Sequence, residues 1–293
     1  MQASVRRPFH AHAFRLALGA GVAILGLAGC SVNPVGATGS LVAAVPDAKS
    51  VVVSSGNGNV ELVHDPAATT MQITAAIRCT GDTEEKAAAR VKATKLTANR
   101  DADGEVRIAV DFPPRDPAVT VVFIGTIGSS EDSASIVIRA ADLDGIEVAT
   151  TNGSIDVGAF RGPAKLVTSN GSIEVRDHAG PIEARSTNGA IRASGVLAPI
   201  VADTSNGRIE VALAPEAQGD VELDTSNGSV SLELGAAWQG TVRADTSNGK
   251  VDLAGGEVVR TVGETTMTIG DATKARATID TSNGRITVRT AKK

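Results

Sequence analysis

The nine residues "DTSNGRIEV", Asp203–Val211, have near-copies along this 293-residue chain: "VTSNGSIEV" ending at Val175, "DTSNGSVSL" at Leu232, "DTSNGKVDL" at Leu253 and "DTSNGRITV" at Val288. A catalytic motif is needed once. A motif written this often does the same structural job in every turn of a stacked array. Asn-Gly pairs begin at Asn57, Asn152, Asn170, Asn188, Asn206, Asn227, Asn248 and Asn283. From Asn152 the intervals are 18, 18, 18, 21, 21 and 35 residues, and the last reads as two periods, with "TMTIGD", Thr266–Asp271, replacing one marker.

Parity around each Asn gives the elements. Three and five residues after it stand apolar pairs, among them Ile173 and Val175, Ile209 and Val211, and Val230 and Leu232, with polar residues between. Six and four residues before it stands a second alternating set, including Ala164 and Leu166, Ile200 and Ala202, and Val221 and Leu223. Alternation at period two predicts half-buried strands. Asn-Gly also closes antiparallel hairpins, but a meander has no reason to keep residue types at a fixed period. The pattern therefore predicts an all-β chain folded as a parallel β-solenoid, β-helix- or β-roll-like, with two short strands per coil of about 18–21 residues. In that array Gly is expected to supply a positive φ at the corner. The eight asparagines are expected to stack as a hydrogen-bonded ladder at a buried corner. The Thr or Ser two residues before each Asn forms a parallel hydroxyl ladder beside it.

Residues 45–145 read as a less regular stretch of the same fold and 146–290 as regular repeats, one solenoid domain over 45–293. "VVVSSGNGNVEL", Val51–Leu62, is an early coil. "DTEEKAAARVKA", Asp82–Ala93, predicts one short helical excursion, with Asp82 and Glu85 as a capping box. A solenoid end must be covered, and this excursion is placed over the N-terminal end of a rod of roughly ten coils.

Composition supports a β core without aromatics: 42% of residues are hydrophobic, 2% aromatic, and there is no tyrosine. The net charge of −5 and the single Trp238 exclude the basic, aromatic-rich surface of a nucleic-acid binder.

Residues 1–29 carry Arg6, Arg7 and Arg15, then the uncharged run Leu16–Gly29, the layout of a secretory leader. The run ends in "LAGC", Leu27–Cys30, which resembles the bacterial lipobox. That resemblance implies cleavage before Cys30, lipidation of its thiol (thioether-linked lipid and acyl chains such as palmitate), and a membrane-anchored extracytoplasmic lipoprotein. Ser31 in place of Asp favours the outer membrane if the cell has one. Residues 30–44 read as the lipidated Cys and a flexible tether. Together, the leader, tether, "NGNVEL" coil, Ala/Glu-rich helix and "TSNG" series resemble the bacterial "putative adhesin" domain family. The resemblance implies a β-solenoid carried on lipoproteins or envelope-stress-linked proteins, and transfers no catalytic residues.

A calcium β-roll needs Asp ligands at the outward position that here reads Asp156, Glu174, Arg192, Glu210, Ser231, Asp252 and Thr287. Asp203, Asp224, Asp245 and Asp280 share one repeated position and read as a solvated stripe. Trp238 reads as tucked over a coil rather than as a sugar platform, and Cys79 as a buried thiol. His64 and His178 stand in unrelated turns, so neither a metal site nor a Ser-His-Asp arrangement is expected. The function expected is non-catalytic, without cofactor or metal: a rigid envelope surface for adhesion or for protein or glycan interaction. The alternatives are a polysaccharide-active enzyme on a β-helix scaffold and an envelope-stress sensor or scaffold.

Overall fold

A computed structural model describes residues 35–114, 132–261 and 264–291; the leader and Cys30 lie outside them. In chain order the first elements are β1 (Val35–Pro46), β2 (Ser50–Ser55), β3 (Val60–His64), β4 (Thr70–Gly81), α1 (Glu84–Ala93), β5 (Lys95–Arg100), β6 (Glu105–Asp111) and β7 (Ser133–Ala140). The regular repeats give β8 (Gly145–Thr150), β9 (Ile155–Val157), β10 (Ala164–Thr168), β11 (Ile173–Arg176), β12 (Ile182–Ser186), β13 (Ile191–Val196), β14 (Ile200–Thr204), β15 (Ile209–Leu213), β16 (Val221–Thr225) and β17 (Val230–Leu234). The chain closes with β18 (Gly240–Thr246), β19 (Lys250–Ala254), β20 (Glu257–Thr261), β21 (Glu264–Ile269), β22 (Arg276–Thr281) and β23 (Arg285–Thr290).

The fold is a parallel β-solenoid. Sheet A has eleven strands in the order β1-β4-β7-β3-β9-β11-β13-β15-β17-β23-β19, and sheet B twelve in the order β20-β21-β18-β22-β16-β14-β12-β10-β8-β2-β6-β5. With the antiparallel strands at the ends set aside, each sheet contributes nine parallel strands. Among the described residues, then, nine two-stranded coils stack, about 40 Å at a strand spacing of ~4.8 Å. Registers carry each residue onto its equivalent: Ile173 lies between Ile155 and Ile191, and Ala164 between Ile146 and Ile182. The inward columns are buried up to the terminal coil, where Val251 and Leu253 of β19 are half-buried, and each fully buried Val or Ile contributes roughly 1.5–3 kcal/mol.

The stacking order departs from the chain order at both ends. The coil β2–β3 lies between β6–β7 and β8–β9, and the last coil, β22–β23, lies between β16–β17 and β18–β19. The 35-residue Asn interval therefore does not hide a coil lacking its marker. Residues 257–261 and 264–269, the latter including part of "TMTIGD", pair antiparallel as β20 and β21 and extend sheet B beyond β18.

Of the tether expected over 30–44, residues 35–44 belong instead to β1, which is paired antiparallel along its whole length with β4; residues 30–34 lie outside the described residues. The Gly, Ala and Ser residues of β1 look like linker composition. Gly39 is small because α1 lies against it: a Cβ there would stand 2.6 Å from Val91 Cγ1, while one on Gly36 would meet the Arg78 guanidinium at 3.1 Å. The helix forms as expected but is capped by Thr83, not Asp82. The Thr83 side chain accepts from Lys86 N, while Asp82 pairs with Lys86 at 3.1 Å. Glu84 and Glu85 in the first turn and Arg90 and Lys92 in the last complement the helix dipole. Ala87 and Val91 bury against β1 and β4, so the excursion covers the N-terminal end.

Candidate functional site

The asparagines stand in the spatial order 57, 152, 170, 188, 206, 227, 283, 248, and each Nδ2 donates to the Oδ1 before it at 2.6–3.1 Å. Asn57 Nδ2 ends the series on the backbone carbonyl of Asp132 at 3.2 Å. All eight amides point the same way, and aligned hydrogen bonds of this kind polarise one another.

Two features of the corner differ from expectation. The ladder runs along the outside, where Asn152, Asn170, Asn188 and Asn206 are exposed; the buried members are the hydroxyls two residues earlier. Those hydroxyls bond to glycine and not to one another. Thr168, Ser186, Thr204 and Thr225 each donate to the Asn-Gly glycine carbonyl of the neighbouring coil at 3.0–3.1 Å. The glycines are also needed for another reason. Among those of the Asn-Gly pairs only Gly58 has a left-handed φ, of 117°. At Gly171, Gly189 and Gly207 a Cβ would be driven into the carbonyl oxygen of the glycine one coil away, so close backbone approach excludes every side chain.

The far-side turns are plugged by rings. Trp238 is 1% exposed and its Nε1 donates to Gly219 O at 3.1 Å, which removes it as a surface platform. His178 is buried with Nε2 2.9 Å from Gly162 O, and burial lowers its pKa, so it is held neutral. His64 packs edge-on against Phe160 with Nε2 3.2 Å from Asp142 Oδ1. Cys79 is buried with Sγ 3.4 Å from Thr94 Oγ1. Among the described residues no three His, Cys, Asp or Glu side chains converge to hold a metal ion.

Two outer faces remain. On sheet A a shallow, open depression of about 310 Å³ is walled by Glu174, Arg192, Glu210, Ser231 and Glu233 and floored by Ser194 and Ala212. Two of its carboxylates are engaged: Glu174 with Arg176 Nη1 at 2.6 Å, and Glu210 with Arg192 Nε at 3.0 Å and Arg208 Nη1 at 3.1 Å. Arg176 also grips Asp156 with two contacts of 2.7 Å, which raises its pKa further. The wall is a lattice of alternating charges that offers hydrogen-bonding groups in a fixed array. On sheet B, the registers line up Asp203, Asp224, Asp280 and Asp245 as direct neighbours in that order. Chain order conceals this column, because Asp280 arrives with the inserted coil. Partial burial, then the charges of Asp203, Asp280 and Glu222, raise the Asp224 pKa.

The family profile described as Toastrack DUF4097 matches residues 35–289. No curated protein matches the chain. Among solved structures, a "putative cell adhesion protein" from Clostridium sporogenes aligns over 88% of this chain and 100% of its own, at 10% identity and a TM-score of 0.29. A "putative adhesin" from Bacteroides fragilis aligns over 85% and 97%, at 12% identity and a TM-score of 0.39. A "putative lipid binding protein" from Parabacteroides distasonis aligns over 86% and 97%, at 13% identity and a TM-score of 0.27. Among the described residues no helix is long and apolar enough to cross a membrane. With a two-sheet solenoid matched over nearly all of its described length, the chain belongs to the Toastrack DUF4097 family.

Proposed function

We propose that the protein is a non-catalytic, membrane-anchored lipoprotein of the cell envelope whose solenoid presents the sheet A face to a protein or glycan partner. The observation that carries this reading is the sheet A depression. It is open and polar, and Glu174 and Glu210 in its wall are each tied to arginine in the resting fold. General acid–base cleavage of a glycan needs two carboxylates free to exchange protons with substrate. A lattice of paired charges on rigid strands instead supplies fixed donors and acceptors for recognition. The leader and "LAGC" at Leu27–Cys30 support the anchor: with several acyl chains on Cys30 the protein stays on the bilayer without a membrane-crossing helix.

Two measurements test this. Cells fed an alkyne-tagged palmitate analogue are expected to label the wild-type chain and not Cys30→Ser, and loss of label without loss of export shows that the thiol is the acceptor. Equal labelling of both forms removes the anchor. The purified solenoid is then incubated with envelope polysaccharides and the products are assayed for new reducing ends. Retention of a polysaccharide or protein, weakened in Arg192→Ala, supports an interaction surface. Turnover abolished by Glu210→Gln replaces it with an enzyme.

A further inference from the structure

The last coil stands in a place the chain does not need it to fill. Strand β22 pairs on one side with β16, placing Ala277 on Val221 and Ile279 on Leu223. On the other side it pairs with β18, placing the same two residues on Val242 and Ala244. In sheet A, Ile286 and Val288 of β23 lie between Val230 and Leu232 of β17 and Val251 and Leu253 of β19. Positions flanking the inserted coil therefore differ by 21 residues, as Val221 from Val242 and Val230 from Val251. That is also the offset between the direct neighbours β14–β15 and β16–β17, seen in Ile200 with Val221 and Ile209 with Val230. The corner agrees, since Asn206, Asn227 and Asn248 are spaced by 21 and 21.

We propose that the C-terminal coil is a removable insert, and that the solenoid has a second closure in which β18–β19 lies directly on β16–β17. In that closure each contact type of the regular stack is met in register. Val242 covers Val221, Val251 covers Val230, the Asn248 amide reaches Asn227, and Thr246 reaches the Gly228 carbonyl that now accepts from Thr281 at 3.1 Å. The link Gly235–Gln239, which now climbs over the inserted coil, has only to span one layer. The two ends of the molecule are not alike in this respect. Strands β2–β3 precede both of their neighbours in the chain, so later coils close around them. Strands β22–β23 follow both of theirs, so a slot that the earlier sequence can already close has to open for them. Insertion adds one interface to the stack and buries Ala277, Ile279, Ile286 and Val288, which holds the inserted form as the ground state. The other closure is the route by which the coil enters and leaves, and the released coil carries the side chains that fit the same slot in a second copy.

The test uses pairs of cysteines on the outer face of sheet B of the full mature chain with Cys30→Ser. Glu222 and Thr278 are direct register neighbours, and Thr278 is also the neighbour of Arg243. Glu222 and Arg243 are thus about 10 Å apart, beyond the roughly 7 Å limit for a disulfide. In the second closure they become direct neighbours. On oxidative refolding, Glu222→Cys/Arg243→Cys is expected to cross-link early and to leave a product whose β22–β23 segment is protease-sensitive. Once native, Glu222→Cys/Thr278→Cys cross-links instead. Native hydrogen exchange is expected to place β22–β23 in a tier more than about tenfold faster than β10–β15. If the 222–243 bond fails to form during refolding while 222–278 forms, or if β22–β23 exchanges as slowly as β10–β15, the proposal is overturned.

Discussion

At the scale of single residues, three kinds of side chain meet at the repeated corner and each answers to a different force. Gly171 is required by backbone approach, Thr204 by an otherwise unbonded carbonyl, and Asn206 by register along an exposed row. Gly171→Ala is therefore expected to separate two coils and cost at least ~2 kcal/mol in urea unfolding, whereas Gly56→Ala, where nothing lies within 4 Å of the added carbon, is expected to be near neutral. Thr204→Val, which strands the Gly189 carbonyl, is expected to cost about 1–3 kcal/mol. Asn206→Ala, open to water, is expected to cost less than about 1 kcal/mol by the same measurement. The aspartate column gives a pH dependence. The Asp224 pKa is raised in the folded state, so the stability tied to it is full below the unfolded carboxyl range and is lost as pH rises through the folded value. Asp224→Asn is expected to raise the urea midpoint at pH 7.5, with a gain that shrinks as the pH is lowered towards 4; a constant gain would point to a cause other than charge.

At the scale of elements, the alternating strands and α1 could be read from periodicity and capping residues, because one buried face leaves a direct trace in the sequence. Residues Val35–Pro46 could not, since a strand half of whose residues are Gly, Ala or Ser owes its pairing to the edge of β4 and the approach of α1, neither of which is local. The site was legible in part. The asparagine row could be anticipated from spacing, while the ring plug at Trp238 and the glycine–hydroxyl bonds depend on which turn lies over which. One ion pair joins α1 to β4 and to the segment before β7: Arg90 meets Asp132 at 2.6 Å, with both side chains largely buried, and also donates to Thr80 O and Pro113 O. Removing Asp132 leaves a largely buried guanidinium without its counter-charge. Asp132→Ala is expected to cost about 3–5 kcal/mol and to speed hydrogen exchange in α1 and β4 while leaving β12–β15 unchanged.

For the whole molecule, stacking order was the feature the sequence hid, and for a physical reason. Intervals of 18 and 21 residues between asparagines record the length of a coil, not its neighbour, and any two coils with matching registers can lie together. Only the pairing of β22 with both β16 and β18, and of β2 with both β6 and β8, shows that each end holds a coil out of turn. The central claim, parallel in-register coils in this order, predicts a linear ruler along the corner. The residues beside the ladder, exposed except for the half-buried Ser169 and Ser205, run Thr151, Ser169, Thr187, Ser205, Ser226, Ser282 and Ser247. Spin labels paired with one at Thr151 are expected, by electron–electron distance measurement, to lie at about 19 Å for Ser226, 24 Å for Ser282 and 29 Å for Ser247, rising by the strand spacing at each step. A Ser247 label nearer to Thr151 than the Ser282 label, or distances that fail to rise along the series, would contradict the account.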